Sequence, residues 1–526
     1  METGDKPLWC IRHSFLILIP ILAFLTVGLV TMDVRIAVAD GDLAPLSSVG
    51  VPPRTGGTIV NNAAAIKLGK ALFWDTQVGG DGRIACATCH FHNGADNRTL
   101  NTLHPGPDGI FASGGVTAAG QNFSPVNIVN DDRVGSQGIV GSIYLGYDHV
   151  NNANPVDICT PDQTAPFFHN RRVTGRNTPP MINAVFNRQN FWDGRANDKF
   201  NGNDPFGNTA NQLGHIGPTE TNSSLASQAV GPPNNNVEMS CGGRPFNGTN
   251  SLATKLLHRQ PLQFQFVHPQ DSALGGLSNW PNPGLNRSYP QLISDAFGPA
   301  AAANAANTFS RIWGESVQAY MSTLISDQTP FDRFLAGDKK ALTSTQQRGL
   351  DRFTGKGQCS KCHTGAELSD ASVSFFNKNG AVNEDGGDQG FHNNGVRPAA
   401  EDAGRAGLGP NGASFSESGS PVDNGAFKTP GLRNVGLRPP HFHNGGKKDL
   451  AAVVDFYSRG GDFPNPSKRI KELNFKADDQ AALVDFLENA LTDCRVAREE
   501  APFDHPSIVV PNGPSVPATG GGHTCH

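Results

Sequence analysis

Two copies of one five-residue pattern constrain this chain more than any other feature: Cys86-Ala-Thr-Cys89-His90 and Cys359-Ser-Lys-Cys362-His363. C-x-x-C-H is the attachment pattern of c-type haem. The two thiols are spaced to form thioethers on one haem edge, and the adjacent histidine is then held under the iron as proximal ligand. A redox C-x-x-C or a split zinc site would leave both histidines unexplained, and no βαβ pattern of a thioredoxin-like site is visible. Two covalent haems are therefore expected, each supplying part of the apolar interior. That suits a chain of 526 residues in which 61 glycines and 38 prolines make up nearly a fifth of the total, against a usual ~12%. The formal charge is −5 with no long basic run, which argues against nucleic acid as a partner.

The surroundings of the two motifs form a weak internal repeat. Gly69-x-x-x-Phe73 precedes the first and Gly349-x-x-x-Phe353 the second. Ile66, Gly69 and Phe73 have helical spacing, and Thr343-x-x-Gln346 reads as a capping box. Each half is thus predicted to run helix, loop, haem site. The expected class is mainly α and loop-rich. Residues 1–39 read as a secretory signal ending in Ala37-Val38-Ala39, or as a retained membrane anchor. Residues 40–337 form an N-terminal haem domain with long insertions, 338–510 a C-terminal haem domain and 511–526 a tail. The polar segments 92–176, 201–250 and 376–425 carry little periodicity and are given no secondary structure. Export to an oxidising compartment, the periplasm, would let Cys159, Cys241, Cys494 and Cys525 form disulfides. Of the three pairings, Cys159–Cys241 with Cys494–Cys525 is favoured.

Further motifs carry a family likeness. LGKALFWDTQVGGDGRIACATCH (68–90), RNTPPMINAVF (176–186), FWDGRA (191–196), FKTPGLRNV (427–435) and HFHNGG (441–446) resemble, in order, segments of bacterial dihaem cytochrome c peroxidases and MauG-type enzymes. The resemblance spans about residues 50–510. It implies two cytochrome c-like domains packed face to face and reduction of hydrogen peroxide at the N-terminal haem.

Carried over residue by residue, the resemblance implies the following roles. Trp192 matches the tryptophan between the haems, where an indole divides one long electron transfer into two; otherwise it is a core residue beside an Asp193–Arg195 pair. Gln228 and Glu238 keep the family's ten-residue gap on the distal side of the first haem, where a carboxylate can move the peroxide proton to the leaving oxygen. The second haem's sixth ligand in family peroxidases is a methionine fourteen residues after the histidine matched by His443. Here that position is Tyr457, on the stripe Leu450, Val453, Val454, Tyr457, and MauG-type proteins carry tyrosine there. Asn177, with the carbonyls of Arg438 and Pro440, matches a Ca²⁺ site between the domains. A loop histidine caps the first iron in some members; His104 lies near that place but out of register and reads, like His92, as loop.

The expected electron source is a small cytochrome c or a cupredoxin, with quinols and a dedicated protein substrate as further candidates. The competing readings are MauG-type long-range oxidation of a protein, a dihaem oxygenase, and a non-catalytic dihaem electron carrier.

Overall fold

Each attachment motif follows a helix whose start is set by a side chain. In the computed structural model, which describes residues 43–148, 154–162, 164–464 and 467–521, the first such helix is α1 (Asn62–Trp74), capped by Asn61 accepting the Ala64 N–H. The helices that follow are α2 (Ser224–Ala229), α3 (Leu252–Leu257), α4 (Tyr289–Phe297), α5 (Pro299–Ala303), α6 (Ala305–Met321), α7 (Pro330–Leu335), α8 (Ser344–Thr354), α9 (Val373–Asn379), α10 (Leu450–Ser458), α11 (Ala477–Asp485) and α12 (Cys494–Ala497). The expected box opens α8: Thr343 Oγ1 accepts the Gln346 N–H and Gln346 Oε1 accepts the Thr343 N–H. Helix is the main regular structure, and loops outweigh it.

The repeated glycines mark where helices cross. A Cβ on Gly69 would lie 1.9 Å from the Ser316 carbonyl oxygen of α6, and one on Gly349 2.1 Å from the Ala482 carbonyl oxygen of α11. Only glycine lets these backbones approach so closely. One turn further on, Phe73 and Phe353 are buried beside the two histidines' cavities. Around the α1–α6 crossing lies one hydrophobic cluster, and around α8–α11 a second that begins at Phe331. Val496, Phe503, Ile508 and Val510 rejoin the first cluster. Lys70 of α1 anchors that return, buried between Asp271 and Asp504 at 2.8 and 3.2 Å.

The insertion 92–176 is not structureless. It holds β1 (Leu103–His104), β2 (Arg133–Val134), β3 (Gln137–Val140), β4 (Ser142–Tyr147), β5 (Asp157–Pro161) and β6 (Arg171–Val173), paired antiparallel as β1–β2, β3–β6 and β4–β5. Three more short helices or strands fall in segments read as irregular: α2 in 201–250, and α9 with β7 (Phe391–His392) in or overlapping 376–425. β7 pairs with β8 (Phe427–Lys428), and β9 (Ile508–Val509) with β10 (Ser515–Val516). Strands of two to six residues leave too few alternations to register as a period, and β3 finds its partner across more than thirty residues. Cys159 of β5 is bonded to Cys241, the favoured pairing. Cys494 is also disulfide-bonded; Cys525 and the 1–39 segment lie outside the described residues. Among the described residues no helix is long and apolar enough to cross a membrane.

A buried carboxylate pair gives a stability expectation. Glu220 meets Arg54 at 3.3 Å, while its Oε2 has no hydrogen-bond partner. Burial first, then the neighbouring Glu315, raises its pKa to about 7. A carboxyl held above its unfolded value of about 4.3 binds its proton more tightly in the folded state. Its contribution is therefore favourable at low pH and is lost as pH rises from the unfolded value through about 7. Glu220→Gln is expected to raise thermal stability at pH 8, by roughly 1–3 kcal/mol, and to leave it nearly unchanged at pH 4.5, read by calorimetry at both pH values.

Candidate functional site

The five residues of each C-x-x-C-H open a cavity. After α1, a single helical turn over Cys86–Thr88 places Cys86, Cys89 and His90 on the wall of a cavity of about 620 Å³. A matching turn over Cys359–Lys361 places Cys359, Cys362 and His363 on a second, tighter cavity of about 210 Å³. All four thiols are free. Burial pushes Cys86, Cys89 and Cys359 up to about 12, so they are protonated sulfurs rather than ready metal thiolates.

Both histidines are oriented by backbone carbonyls. His90 Nδ1 lies 3.0 Å from the Gly94 carbonyl oxygen. His363 Nδ1 lies 3.1 Å from that of Pro430 and 3.3 Å from that of Leu368. Burial lowers both pKa values, which favours the neutral ring. A neutral imidazole that donates Nδ1–H to a carbonyl presents Nε2 as a bare lone pair. Two free thiols, one such histidine and an apolar cavity fit a covalently attached haem at each motif. The first volume falls within the ~300–1,000 Å³ of small-molecule sites.

Glu238, Gln228 and Trp192 all line the first cavity. Gln228 comes from α2, and Glu238 from the turn after it, where Asn235 Oδ1 accepts its backbone N–H at 3.2 Å. The Glu238 carboxylate has no hydrogen bond with the described residues. Loss of solvent raises its pKa, opposed by Arg195. Arg195 itself pairs with Asp193 at 2.6 Å and lies over the Phe191 ring, so the expected Asp193–Arg195 pair exists and serves the cavity electrostatically. Arg133, Arg176, Glu401 and Asp402 also line this cavity. Arg176 opens the 176–186 motif, whereas no motif pointed to Arg133 in the insertion or to Glu401 and Asp402 in a loop more than 200 residues further on.

Trp192 lines both cavities, together with Asn177, Thr178 and Pro180. Its Nε1–H donates to the Asn177 carbonyl at 2.8 Å, and its own carbonyl accepts the Lys428 N–H at 2.8 Å. The indole is thus fixed from the first half and its backbone from the second.

In the second cavity Leu450, Val453, Val454 and Tyr457 of α10 share one wall. The Tyr457 hydroxyl accepts from Asn394 Nδ2 at 3.2 Å, and burial raises its pKa well above the ordinary phenol value. Two cationic side chains face the same space: Lys428, within the 427–435 motif, and Arg438, named above only for its carbonyl. Lys428 is held down to about 8 and Arg438 to about 10, in both cases chiefly by burial. The Arg438 guanidinium meets the carbonyls of Asn434, Gly431 and Arg433 and no carboxylate. Unneutralised cations at a cavity edge suit the carboxylates that a haem carries.

Asn177 and Pro440 are brought together, the Asn177 amide donating to the Pro440 carbonyl at 2.7 Å. The Arg438 carbonyl makes no such contact with Asn177. His104 is not exposed loop: it is half-buried in β1, where Nδ1 accepts the Gly106 N–H, and burial with Arg133 nearby lowers its pKa to about 4. In β1 it pairs opposite Arg133 of β2, while its neighbour Leu103 is the buried residue of the strand. His92 is likewise half-buried, next to Asn93.

A family model described as di-haem cytochrome c peroxidase matches residues 63–340, which takes in the first motif and Trp192, Gln228 and Glu238. The chain belongs to this family. It is therefore an oxidoreductase of the cytochrome-c peroxidase family. It is 25% identical over 463 residues to the cytochrome-c peroxidase IdrP1 of Denitromonas iodatirespirans, covering 85% of each chain. It is 24% identical over 424 residues to the methylamine utilization protein MauG of Methylorubrum extorquens, covering 80% of this chain and 77% of that one. The cytochrome c551 peroxidase of Pseudomonas aeruginosa is 29% identical over 279 residues, 53% of this chain and 56% of that one. Among solved structures, a MauG-like protein associated with microbial copper homeostasis aligns over 89% of this chain and 96% of that chain with a TM-score of 0.48 and 19% identity.

Proposed function

We propose that this protein reduces hydrogen peroxide in the first cavity and draws electrons from the second through Trp192. The observation that carries the reading is Trp192 as common wall of both cavities, hydrogen-bonded from each half. Cys86, Cys89 and His90 would hold one haem and Cys359, Cys362 and His363 a second, and these groups would supply the peroxide-reducing and electron-storing chemistry. The protein's own part is proton handling and placement. Glu238, a carboxylate without a fixed partner, takes the proton from the inner peroxide oxygen and delivers it to the outer one, so that water leaves rather than hydroxide. Gln228 can hydrogen-bond the same oxygens. Arg195 keeps enough positive potential nearby for Glu238 to remain a usable base.

Tyr457, on the wall of the second cavity, would be a protein ligand to the second iron in this reading. A phenolate is a hard anion that favours the higher oxidation states, whereas methionine favours ferrous iron. The second haem is then suited to share an oxidising equivalent with the first. That supports the MauG-like alternative, in which the stored equivalents oxidise a protein side chain at a distance; the other donor is a small cytochrome c or a cupredoxin. A periplasmic or otherwise oxidising location is supported by the Cys159–Cys241 bond. A Ca²⁺ between the halves also belongs to the proposal: with the Asn177 amide turned over, Oδ1 and the Pro440 carbonyl would be adjacent hard donors.

Trp192→Phe tests the relay. Peroxide should still bind at the first haem at the wild-type rate, while oxidation of the second haem slows by roughly tenfold or more. Stopped-flow spectra resolve the two events, and equal rates for both proteins would refute the relay.

A further inference from the structure

We propose that the indole of Trp74 is a second electron source for the first haem site, and that it takes up the oxidising equivalent when no outside donor is present. The inference rests on the reading that the first cavity reduces peroxide. A line of rings leads from His90 to Trp74. His90 and Phe73 have ring centroids 6.1 Å apart, and Phe73 meets Tyr320 edge-on at 5.5 Å. Trp74 Nε1–H donates to the Tyr320 hydroxyl at 3.1 Å, and the indole stacks on His505 at 4.6 Å and 12°. His505 in turn reaches Glu499 at 3.0 Å.

The local charge favours loss of an electron there. Lys70 faces two carboxylates, Asp271 and Asp504, all three buried, and Asp271 Oδ2 has no hydrogen-bond partner. Both carboxylates act on Tyr320. Two acids against one ammonium stabilise positive charge on the adjoining indole. The hydrogen bond to Tyr320 lets the oxidised ring keep its N–H proton.

The chemistry balances with peroxide alone. Hydrogen peroxide takes up two electrons and two protons and gives two waters. The Trp74 ring loses two electrons in succession, adds the oxygen of one water and releases two protons, which gives hydroxytryptophan. The sum is one peroxide and one tryptophan converted to hydroxytryptophan and one water. When a donor is present, it refills the ring after the first electron and no oxygen is added.

Two other tryptophans serve as controls. Trp280 is 52% exposed, whereas Trp74 is 2% exposed. Trp313 is as buried as Trp74, but its N–H goes to the Ala229 carbonyl and its ring neighbours are Phe246 and Phe309. The methionines Met181, Met239 and Met321 line the first cavity itself.

The test treats the dihaem holoprotein with about ten equivalents of peroxide per chain without donor and maps added oxygen by peptide mass spectrometry. Expected is one added oxygen on Trp74 in preference to Trp280 and Trp313, suppressed when a reduced cytochrome c is supplied. Tyr320→Phe, which removes the acceptor of the indole N–H, should lower the yield at Trp74 roughly threefold. Trp74→Phe should move the added oxygen to the cavity methionines. Oxygen on Trp280, or on the methionines, with Trp74 unmodified in the wild-type protein would overturn the inference while leaving the peroxide reading intact. A holoprotein that does not consume peroxide would overturn both.

Discussion

Glu238→Gln slows the reaction with peroxide by about 10²–10⁴-fold, the usual contribution of a positioned acid–base group, while two covalent haems per chain remain in place. Glutamine keeps the shape of the side chain and its reach into the first cavity but cannot exchange a proton. The expectation follows from the carboxylate's situation: it lines the cavity, makes no hydrogen bond with the described residues, and has a raised pKa caused by lost solvent. The raised value also fixes the direction of the pH dependence. Glu238 accepts a proton only when ionised, so the wild-type rate should fall as pH drops through a value above the ordinary ~4.3 of glutamate. In the Gln variant that acid limb disappears. Stopped-flow traces between pH 4 and 8, with haem content measured on the same samples, check both points. A variant that reacts at full rate refutes the assignment.

Tyr457→Phe should change the second haem without touching the first. Tyr457 is a buried phenol hydrogen-bonded by Asn394, so ionisation requires a cation beside it. If the second iron is that cation, the holoprotein carries the spectroscopic signature of phenolate ligation and the variant lacks it. The second haem's potential should rise, because an anionic ligand has been removed. The oxidised state left after peroxide should decay roughly tenfold faster or more, about 1.4 kcal/mol of lost stabilisation. Spectroelectrochemistry and the decay of the oxidised spectrum read the two effects independently. An unchanged spectrum and potential would return Tyr457 to a core tyrosine.

Much of this arrangement is legible in the residues alone. The helix start at Thr343 is local, set by a side chain that caps the next turn. The repeat of Gly69 and Gly349 is visible, although that they mark close crossings emerges only from the fold. Motif order places Trp192, Gln228 and Glu238 on one cavity, and α10's stripe puts Tyr457 on the other. What sequence did not reveal is long-range. β1 and β2, like β3 and β6, are too short to show a period and pair across the insertion, which is also why His104 was read as loop instead of strand. Arg133, Arg176 and Asp402 meet only after the chain folds back. The side chains of Lys428 and Arg438 became notable once their burial without a carboxylate partner was visible. The return of Val496–Val510 to the first cluster depends on the Lys70–Asp504 contact, two residues more than 400 positions apart.

The most direct test of peroxide reduction shared between two haems through Trp192 uses the wild-type protein alone. Both haems are brought to the ferric state, one equivalent of hydrogen peroxide is added, and the full absorption spectrum is followed in time. The account expects an immediate reaction with no prior reduction, in which the bands of both haems change together and peroxide is consumed one to one. A protein that stays unchanged until it receives one electron, or that shows the charge-transfer band of methionine-ligated iron at the second haem, would contradict it.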